Sequence, residues 1–399
     1  MGCISRLRCH VTANTGIFDS NKKWRSKMVT KKCACRIYKK ETSQQLSKMG
    51  WTSHFQTQLQ GYYNDDFIPA RVVGVNKNTF RISNGKKEWL ATIAGRLRNL
   101  SHGLYPVTGD WVLVTDSVIL KVLARKNALS RGASGTHGKQ NSQPRKEQVI
   151  AANLDTVFVV CGLDLDFNLR RIERYLTLVY NCGLNPVIIL TKADLHQDPM
   201  PFVREVESVA FGVSIHLVSA LDGKGLPPLE AYLSPGQTTT MVGSSGVGKS
   251  TLVNRLYGRT IQATGSVRES IGKGKHTTTS RDLIMMPQGG MVIDNPGIRE
   301  IAFWNNNDRI DVAFPEIEKL SEKCRFSNCT HTHEPGCRVL QAVTDDEILH
   351  DRLESYRKMR RELKYLSKRK HKSADRVEKE QWKEVALKIK ALKKRRRNG

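Results

Sequence analysis

Residues 239–252, TTMVGSSGVGKSTL, contain a phosphate-binding loop. Gly243 is followed by four residues and then by Gly248, Lys249 and Ser250, and apolar residues lie on both sides of this pattern. The spacing predicts a buried strand, a loop whose backbone N–H groups point at a phosphate, and a helix. A loop of this kind between a strand and a helix indicates nucleotide binding.

Two side chains of the loop have chemistry that suits a bound nucleotide. We expect the Lys249 ammonium to reach the β- and γ-phosphates and the Ser250 hydroxyl to be a ligand of Mg²⁺. The predicted nucleotide-binding residues of the loop are Gly243, Ser244, Ser245, Gly246, Val247, Gly248, Lys249, Ser250 and Thr251.

The tetrapeptide TKAD at 191–194 is the best candidate for the segment that selects the base. A carboxylate at Asp194 can accept two hydrogen bonds from the N1–H and amino group of guanine, a donor pair that adenine lacks. Lys192 would lay its stem over the base, and the loop at 218–220, VSA, would bring backbone N–H groups to the guanine carbonyl. A cluster of surface charges is the alternative for TKAD. The predicted base-binding residues are Thr191, Lys192, Ala193, Asp194, Ser219 and Ala220.

The order of these two motifs is unusual. In an ordinary GTPase the phosphate loop comes first, whereas here TKAD precedes it by about fifty residues. A nucleotide site on a doubly wound sheet is built from loops at the carboxyl ends of several strands, in whatever order the chain reaches them. Adjacent termini can be joined and new ones opened at a surface loop. We therefore predict a circularly permuted GTPase domain.

Residues 294–297, DNPG, follow a further predicted strand. Asp294 can hold Mg²⁺ through a water molecule, and the Gly297 N–H can donate to the γ-phosphate. Both residues are therefore predicted to belong to the catalytic site.

The residue that orients the attacking water is harder to assign. Many GTPases place a glutamine shortly after this glycine, but Ile298 and Arg299 follow here. The glycine-rich segment at 272–283 carries His276, which can position the water. For His276 the alternative is a histidine that faces RNA or is merely exposed.

Two other functions are possible for the whole chain. Without hydrolysis it would be a nucleotide-gated RNA-binding chaperone, and an ATP-dependent kinase or ATPase is the third possibility.

Three cysteines and a histidine lie within fourteen residues near the C-terminus. Three thiolates and one imidazole can close a tetrahedral site around a structural Zn²⁺. His333 is an alternative imidazole, and a redox function is disfavoured because the sequence contains no Cys-x-x-Cys. The predicted zinc ligands are Cys324, Cys329, His331 and Cys337.

The net charge of +27 favours a polyanionic partner, and nucleic acid is the best candidate. No apolar run is long enough to span a bilayer, so we expect no membrane association. The basic stretch before Met49 has three interpretations: a disordered extension, an organelle transit peptide, or sequence ahead of a start at Met49. Cytoplasmic location is the primary expectation, and an organelle is the alternative.

Periodicity and composition predict a multidomain α/β protein. The GTPase domain should contain a mostly parallel sheet with helices on both faces. The short alternating strands before it should form an OB-like barrel that binds RNA, and a purely structural barrel is the alternative. The predicted parts are a basic extension at 1–60, the barrel at 65–126, a linker at 127–150, the GTPase domain at 151–305, a zinc-binding helical module at 306–370 and a basic tail at 371–399.

The motifs together, over roughly 65–370, resemble those of the ribosome small-subunit-dependent GTPase A family, which is circularly permuted. The resemblance is carried by the barrel, ANLD at 152–155, TKAD, VSA, GSSGVGKST, GKGKHTTTSRDL, DNPG and the cysteine cluster, in the family's order. Two positions depart from the usual pattern: Asn295 replaces a common Thr, and Thr191 stands where most GTPases have Asn.

The resemblance implies hydrolysis of GTP to GDP, stimulated by the small ribosomal subunit, in late maturation of that subunit. It also implies that Thr278 is the threonine of the switch segment that binds Mg²⁺. Expected partners are the small subunit with its rRNA, GTP and GDP, and the expected state is a monomer. The predicted catalytic residues are then His276, Thr278, Asp294, Gly297 and Lys249.

Overall fold

The strands form where β-branched and apolar residues run together or alternate, as the sequence predicts. The computed structural model describes residues 44–59, 67–76, 78–95, 97, 105–132, 147–262, 281–294, 310–369 and 383. Three predicted catalytic residues, His276, Thr278 and Gly297, lie outside these ranges, as do residues 1–43 of the extension and nearly all of the basic tail.

The strands, in chain order, are β1 Ile68–Val75, β2 Phe80–Ser83, β3 Glu88–Ile93, β4 Trp111–Thr115, β5 Val118–Val122, β6 Ala128–Gly132, β7 Glu147–Ala152, β8 Thr156–Gly162, β9 Pro186–Thr191, β10 Ile215–Leu217, β11 Thr238–Val242, β12 Arg281–Met285 and β13 Met291–Ile293. The α-helices are α1 Ser53–Gln58, α2 Leu169–Asn181, α3 Met200–Glu207, α4 Pro227–Glu230, α5 Lys249–Tyr257, α6 Ile310–Ala313, α7 Pro315–Ser321, α8 Arg338–Thr344 and α9 His350–Arg369.

The nucleotide-binding half is a doubly wound sheet. Its strands lie in the order β10, β9, β8, β11, β13 and β12, and all pairs are parallel except β13 with β12. Alternate residues of β8 enter two different cores: Val157 and Val159 pack on the side of α2, while Phe158 and Val160 pack on the side of α5. Both faces are therefore covered, and the loops after β8, β9 and β11 emerge at one edge.

The N-terminal strands close a five-stranded barrel. β1 pairs with both β2 and β4, and β3 and β5 complete the circuit. Apolar side chains such as Val72, Phe80, Ile82 and Ile119 fill its interior. The predicted OB-like barrel is confirmed, and it joins the doubly wound sheet where Gly74 pairs with Asp282.

Residues 45–59 pack against the barrel, although they belong to the predicted disordered extension. Trp51 and Phe55 are buried, and their rings lie 4.7 Å and 5.8 Å from the ring of Trp111. These are tertiary contacts of a short segment without periodicity of its own, so a search for repeating patterns does not find them.

Part of the predicted linker at 127–150 is also regular. β6 and β7 pair antiparallel at its two ends, with Ala128 opposite Ala152. Asn153, next to this ribbon, is in the left-handed conformation and donates to the Gly109 carbonyl at 3.0 Å. The segment therefore ties the barrel to β8 at a defined position.

The C-terminal helices α6 to α9 follow the doubly wound sheet, and α9 lies against α2. Glu173 on α2 and Arg352 on α9 form a buried ion pair at 2.6 Å. Among the described helices, none combines the length and the apolar composition that crossing a lipid bilayer requires.

Candidate nucleotide site and metal cluster

The phosphate loop connects the fully buried β11 to α5. Gly243, Gly246 and Gly248 have φ values of 153°, 84° and 94°, a region that favours glycine. A Cβ atom at Gly243 would lie 2.3 Å from the Val160 carbonyl oxygen, so no other residue fits there. These conformations let the backbone turn sharply around the exposed Ser245, as a loop that binds phosphate through its N–H groups requires.

Lys249 lies at the start of α5 and folds back over the loop. Its ammonium donates to the Gly243 carbonyl at 2.8 Å and to the Ser244 carbonyl. Burial lowers the pKa of Lys249 to about 8, and the negative charges of Asp294 and Asp166 oppose this shift. The same ammonium can turn to the β- and γ-phosphates once they occupy the loop.

Asp294 lies at the end of β13, beside Lys249. Burial raises the pKa of its carboxyl group, and Lys249 opposes the rise. Ser250, the other described residue predicted to act on Mg²⁺, is half-buried in the first turn of α5.

The base motif touches the phosphate loop. The hydroxyl of Thr191, at the end of β9, donates to the Val247 carbonyl at 2.5 Å and lies 3.3 Å from the Cys161 carbonyl. The two motifs, separated and reversed along the chain, are therefore joined by a direct hydrogen bond across the carboxyl edge of the sheet.

The rest of the base motif lies beside the loop after β10. Ala193 N–H donates to the Val218 carbonyl at 3.2 Å, and the Asp194 side chain is exposed to solvent. Ser219 is buried and closes a tight loop through its N–H bond to the Lys224 carbonyl at 3.0 Å. Ala220 follows, half-buried, so the predicted base-binding residues lie together.

Lys192 is held in an uncommon conformation. Its φ of 60° and ψ of 36° are left-handed, and its ammonium lies 2.5 Å from Oδ2 of Asp164. Burial alone would raise the pKa of Asp164, but hydrogen bonds from Lys192 and from backbone N–H groups outweigh it and lower that pKa. Sequence reasoning missed Asp164, because nothing in the chain links residue 164 to TKAD.

Arg171 and Tyr175 are further residues that sequence reasoning missed. Arg171 on α2 donates to the Ser244 hydroxyl at 2.8 Å and pairs with Asp166 at 2.5 Å. Tyr175, one turn later, also hydrogen-bonds Ser244, and burial raises its pKa to about 12. Their spacing of four residues places both on one face of the helix and is the signal that could have revealed them.

The three cysteines and His331 come together. Their ligand atoms all lie within 4.8 Å of one another, with Nδ1 of His331 at 3.4 Å from Sγ of Cys337 and Sγ of Cys324 at 3.8 Å from Sγ of Cys337. Two sulfurs bound tetrahedrally to one zinc ion are about 3.8 Å apart. His333 is exposed and hydrogen-bonds Thr332 instead. The donor set and its spacing fit zinc.

Curated relatives match most of the chain. It is 41% identical over 351 residues to the small ribosomal subunit biogenesis GTPase RsgA of Methanosarcina acetivorans, which covers 86% of this chain and 92% of the relative. The protein of the same name from Syntrophotalea carbinolica is 40% identical over 80% of this chain and 89% of its own length. The RsgA GTPase family profile matches residues 122–304.

The chain belongs to the RsgA family. Membership places it among GTP hydrolases of ribosome biogenesis and confirms the family that the motifs indicated.

Solved structures agree with the RsgA assignment. YjeQ from Thermotoga maritima superposes with a TM-score of 0.53 at 30% identity, covering 74% of this chain and 98% of its own. YloQ, described as a circularly permuted GTPase, gives a TM-score of 0.52 at 21% identity over 76% of this chain and 97% of its own, which supports the fold.

The ABC transporter family profile also matches, over residues 226–393. This range contains the strand, phosphate loop and helix that P-loop proteins share, but not the base motif. The hydrogen bond between Thr191 and Val247 ties the phosphate loop to a segment outside that range, in agreement with the RsgA family.

Proposed function

We propose that this protein binds GTP in the site formed by the phosphate loop, TKAD and the loop after β10, and hydrolyses it to GDP. The observation that carries the proposal is the contact of the Thr191 hydroxyl with the Val247 carbonyl at 2.5 Å. It brings the base-selecting and phosphate-binding elements into one site, as a guanine nucleotide requires.

Each group of this site has a task in the proposal. Backbone N–H groups around Ser245 and the Lys249 ammonium bind the phosphates, and Asp194 accepts the guanine N–H donors. Ser250 and Asp294 are placed to hold Mg²⁺, directly and through water. A bound Mg²⁺ supplies charge neutralisation at the β- and γ-phosphates.

The proposal assigns the remaining steps to three residues outside the described ranges. His276 orients the attacking water, Thr278 binds Mg²⁺, and the Gly297 N–H contacts the γ-phosphate. The support is their position in the sequence, on segments that begin or end beside Asp282 and Asp294 at the sheet edge.

The proposed macromolecular partner is the small ribosomal subunit, with contacts to its rRNA. The relatives are named for small-subunit biogenesis, and the net charge of +27 suits a phosphate-rich surface. We propose late maturation of the subunit as the stage of action, a monomeric state, and the cytoplasm as the compartment. The alternative of an organelle would be tested by the location of a fluorescent fusion that retains residues 1–60.

A structural zinc ion held by Cys324, Cys329, His331 and Cys337 completes the proposal. The cluster is largely buried and offers four protein ligands, so it leaves no position for a substrate. Its expected contribution is the fold of the segment between α7 and α8.

The decisive experiment measures GTP and ATP hydrolysis with and without purified small subunits at two salt concentrations. We expect GTP turnover to rise with small subunits, less so at high salt, and ATP turnover to stay low. Equal turnover with and without subunits would instead support a nucleotide-gated RNA-binding chaperone. An Asp194→Asn variant with unchanged preference between GTP and ATP would support an ATPase.

A further inference from the structure

Lys192 is anchored at its charged end. Its ammonium lies 2.5 Å from Oδ2 of Asp164, which belongs to the loop after the neighbouring strand β8. Both side chains are about one-third exposed, at 32% and 28%. A lysine in this position would otherwise be free to sample many rotamers, because its side chain is long and flexible.

The carboxylate of Asp164 is itself fixed from two sides. Its Oδ1 accepts the backbone N–H of Asp166 at 3.1 Å, which leaves Oδ2 for Lys192. A Cβ atom at Gly162 would lie 3.0 Å from Oδ1, so the absence of a side chain there makes room for the carboxylate. The anchor is therefore part of a folded loop.

The backbone of Lys192 is fixed as well. Its left-handed conformation is uncommon for a residue with a Cβ atom, and it is maintained by the bond from Leu195 N–H to the Lys192 carbonyl at 3.1 Å. The loop after β8 also forms a backbone hydrogen bond to the end of β9, because Leu163 N–H donates to the Thr191 carbonyl at 2.9 Å. With both ends held, the aliphatic stem is stretched between β9 and the loop after β8.

We infer that Asp164 is a positioning residue for guanine nucleotides, which acts by holding the Lys192 stem in the conformation that covers the base. This inference rests on the proposed function. The Lys192 side chain loses its conformational entropy when the protein folds. Nucleotide binding therefore does not have to pay this entropic cost. Asp164 thus strengthens binding of the purine without touching it.

The test is a double-mutant cycle on the full chain, read by calorimetric titration of GDP in Mg²⁺. Asp164→Asn keeps the shape and the acceptor for Asp166 N–H but removes the charge that holds the ammonium. Lys192→Met keeps an aliphatic stem without an ammonium. We expect Asp164→Asn to raise the Kd for GDP by about fivefold and to have no further effect when Met replaces Lys192.

Two further readouts separate positioning from other effects. The KM for GTP should rise with Asp164→Asn while kcat changes less than twofold, and the preference for GDP over XDP should be unchanged, in contrast to Asp194→Asn. Asp222→Asn removes an exposed carboxylate from the loop after β10 and serves as the charge control.

Five outcomes are possible. The inference is overturned if wild type and Asp164→Asn have the same Kd for GDP. It is also overturned if Asp164→Asn raises this Kd as much in the Lys192→Met background as in wild type, or if Asp222→Asn raises it as much as Asp164→Asn does. A wild-type protein that fails to bind GDP overturns the proposed function, and this inference with it. The expected result, a loss of GDP affinity with Asp164→Asn that disappears when Met replaces Lys192, supports the inference.

Discussion

The hydroxyl of Thr191 and the carbonyl of Val247 form a hydrogen bond of 2.5 Å that joins the base motif to the phosphate loop. Thr191 is 2% exposed, and its hydroxyl lies 3.3 Å from the Cys161 carbonyl as well. In this protein a threonine at the end of β9 connects the end of β8 to the phosphate loop that follows β11. The departure from the usual Asn is therefore compatible with an intact site.

Thr191→Val should weaken this connection. The change leaves the Val247 carbonyl without its donor in a buried place, and we expect the free energy of unfolding to fall by about 1–3 kcal/mol and the affinity for GDP to fall with it. Urea unfolding and calorimetry measure the two effects. Thr191→Ser keeps the hydroxyl and is the matched control. Equal stability of the Val and Ser variants would contradict this explanation.

Lys249→Met should stabilise the nucleotide-free protein while abolishing GTP binding. Burial lowers the pKa of Lys249 to about 8, with Asp294 and Asp166 opposing, whereas an exposed lysine has a pKa of about 10.4. At pH 7 the buried charge is destabilising, and we expect the variant to gain about 1–3 kcal/mol in the free energy of unfolding.

The pH dependence of this gain tests its cause. Between pH 8 and about 10.4 the unfolded chain binds more protons at Lys249 than the native chain, so the wild-type free energy of unfolding rises through this window. The advantage of Lys249→Met should then shrink as the pH is raised from 7 to 9.5 in magnesium-free buffer. A gain that is the same at both pH values would rule out the buried ammonium as its source.

Zinc binding should depend on His331 and not on His333. His331 is buried with Nδ1 at 3.4 Å from Sγ of Cys337, whereas His333 is exposed. We expect wild type and His333→Ala to carry one zinc ion per chain by mass spectrometry, and His331→Ala to lose it and to lose ordered structure around α8. Zinc retained by His331→Ala but lost by His333→Ala would exchange the two assignments.

The sequence was informative where function requires a fixed local pattern. Gly243 to Ser250 and Cys324 to Cys337 are short segments whose spacing encodes their geometry, and both were predicted. Asp164 and Arg171 act on residues that lie 28 and 73 positions away, so only the folded sheet brings them into contact. Trp51 escaped prediction for the same reason, since its partner is Trp111.

Arg352→Met should loosen the C-terminal helices from the GTPase domain. Glu173 is fully buried and accepts hydrogen bonds from Arg352 at 2.6 Å and from Ser355, and Arg352 also pairs with Glu316 at 2.8 Å. Glu173 would keep Arg170, which pairs with it at 2.7 Å, so we expect a cost of about 2–3 kcal/mol, below that of a buried charge left without any partner. Amide hydrogen exchange in α9 should then accelerate by about a hundredfold or more.

Glu362→Gln is the matched control within the same interface. Its carboxylate pairs with Arg174 on α2 at 2.8 Å, but both side chains are 27% exposed, so we expect a loss of about 1 kcal/mol or less. Equal acceleration of exchange by the two variants would mean that burial does not set the strength of this contact.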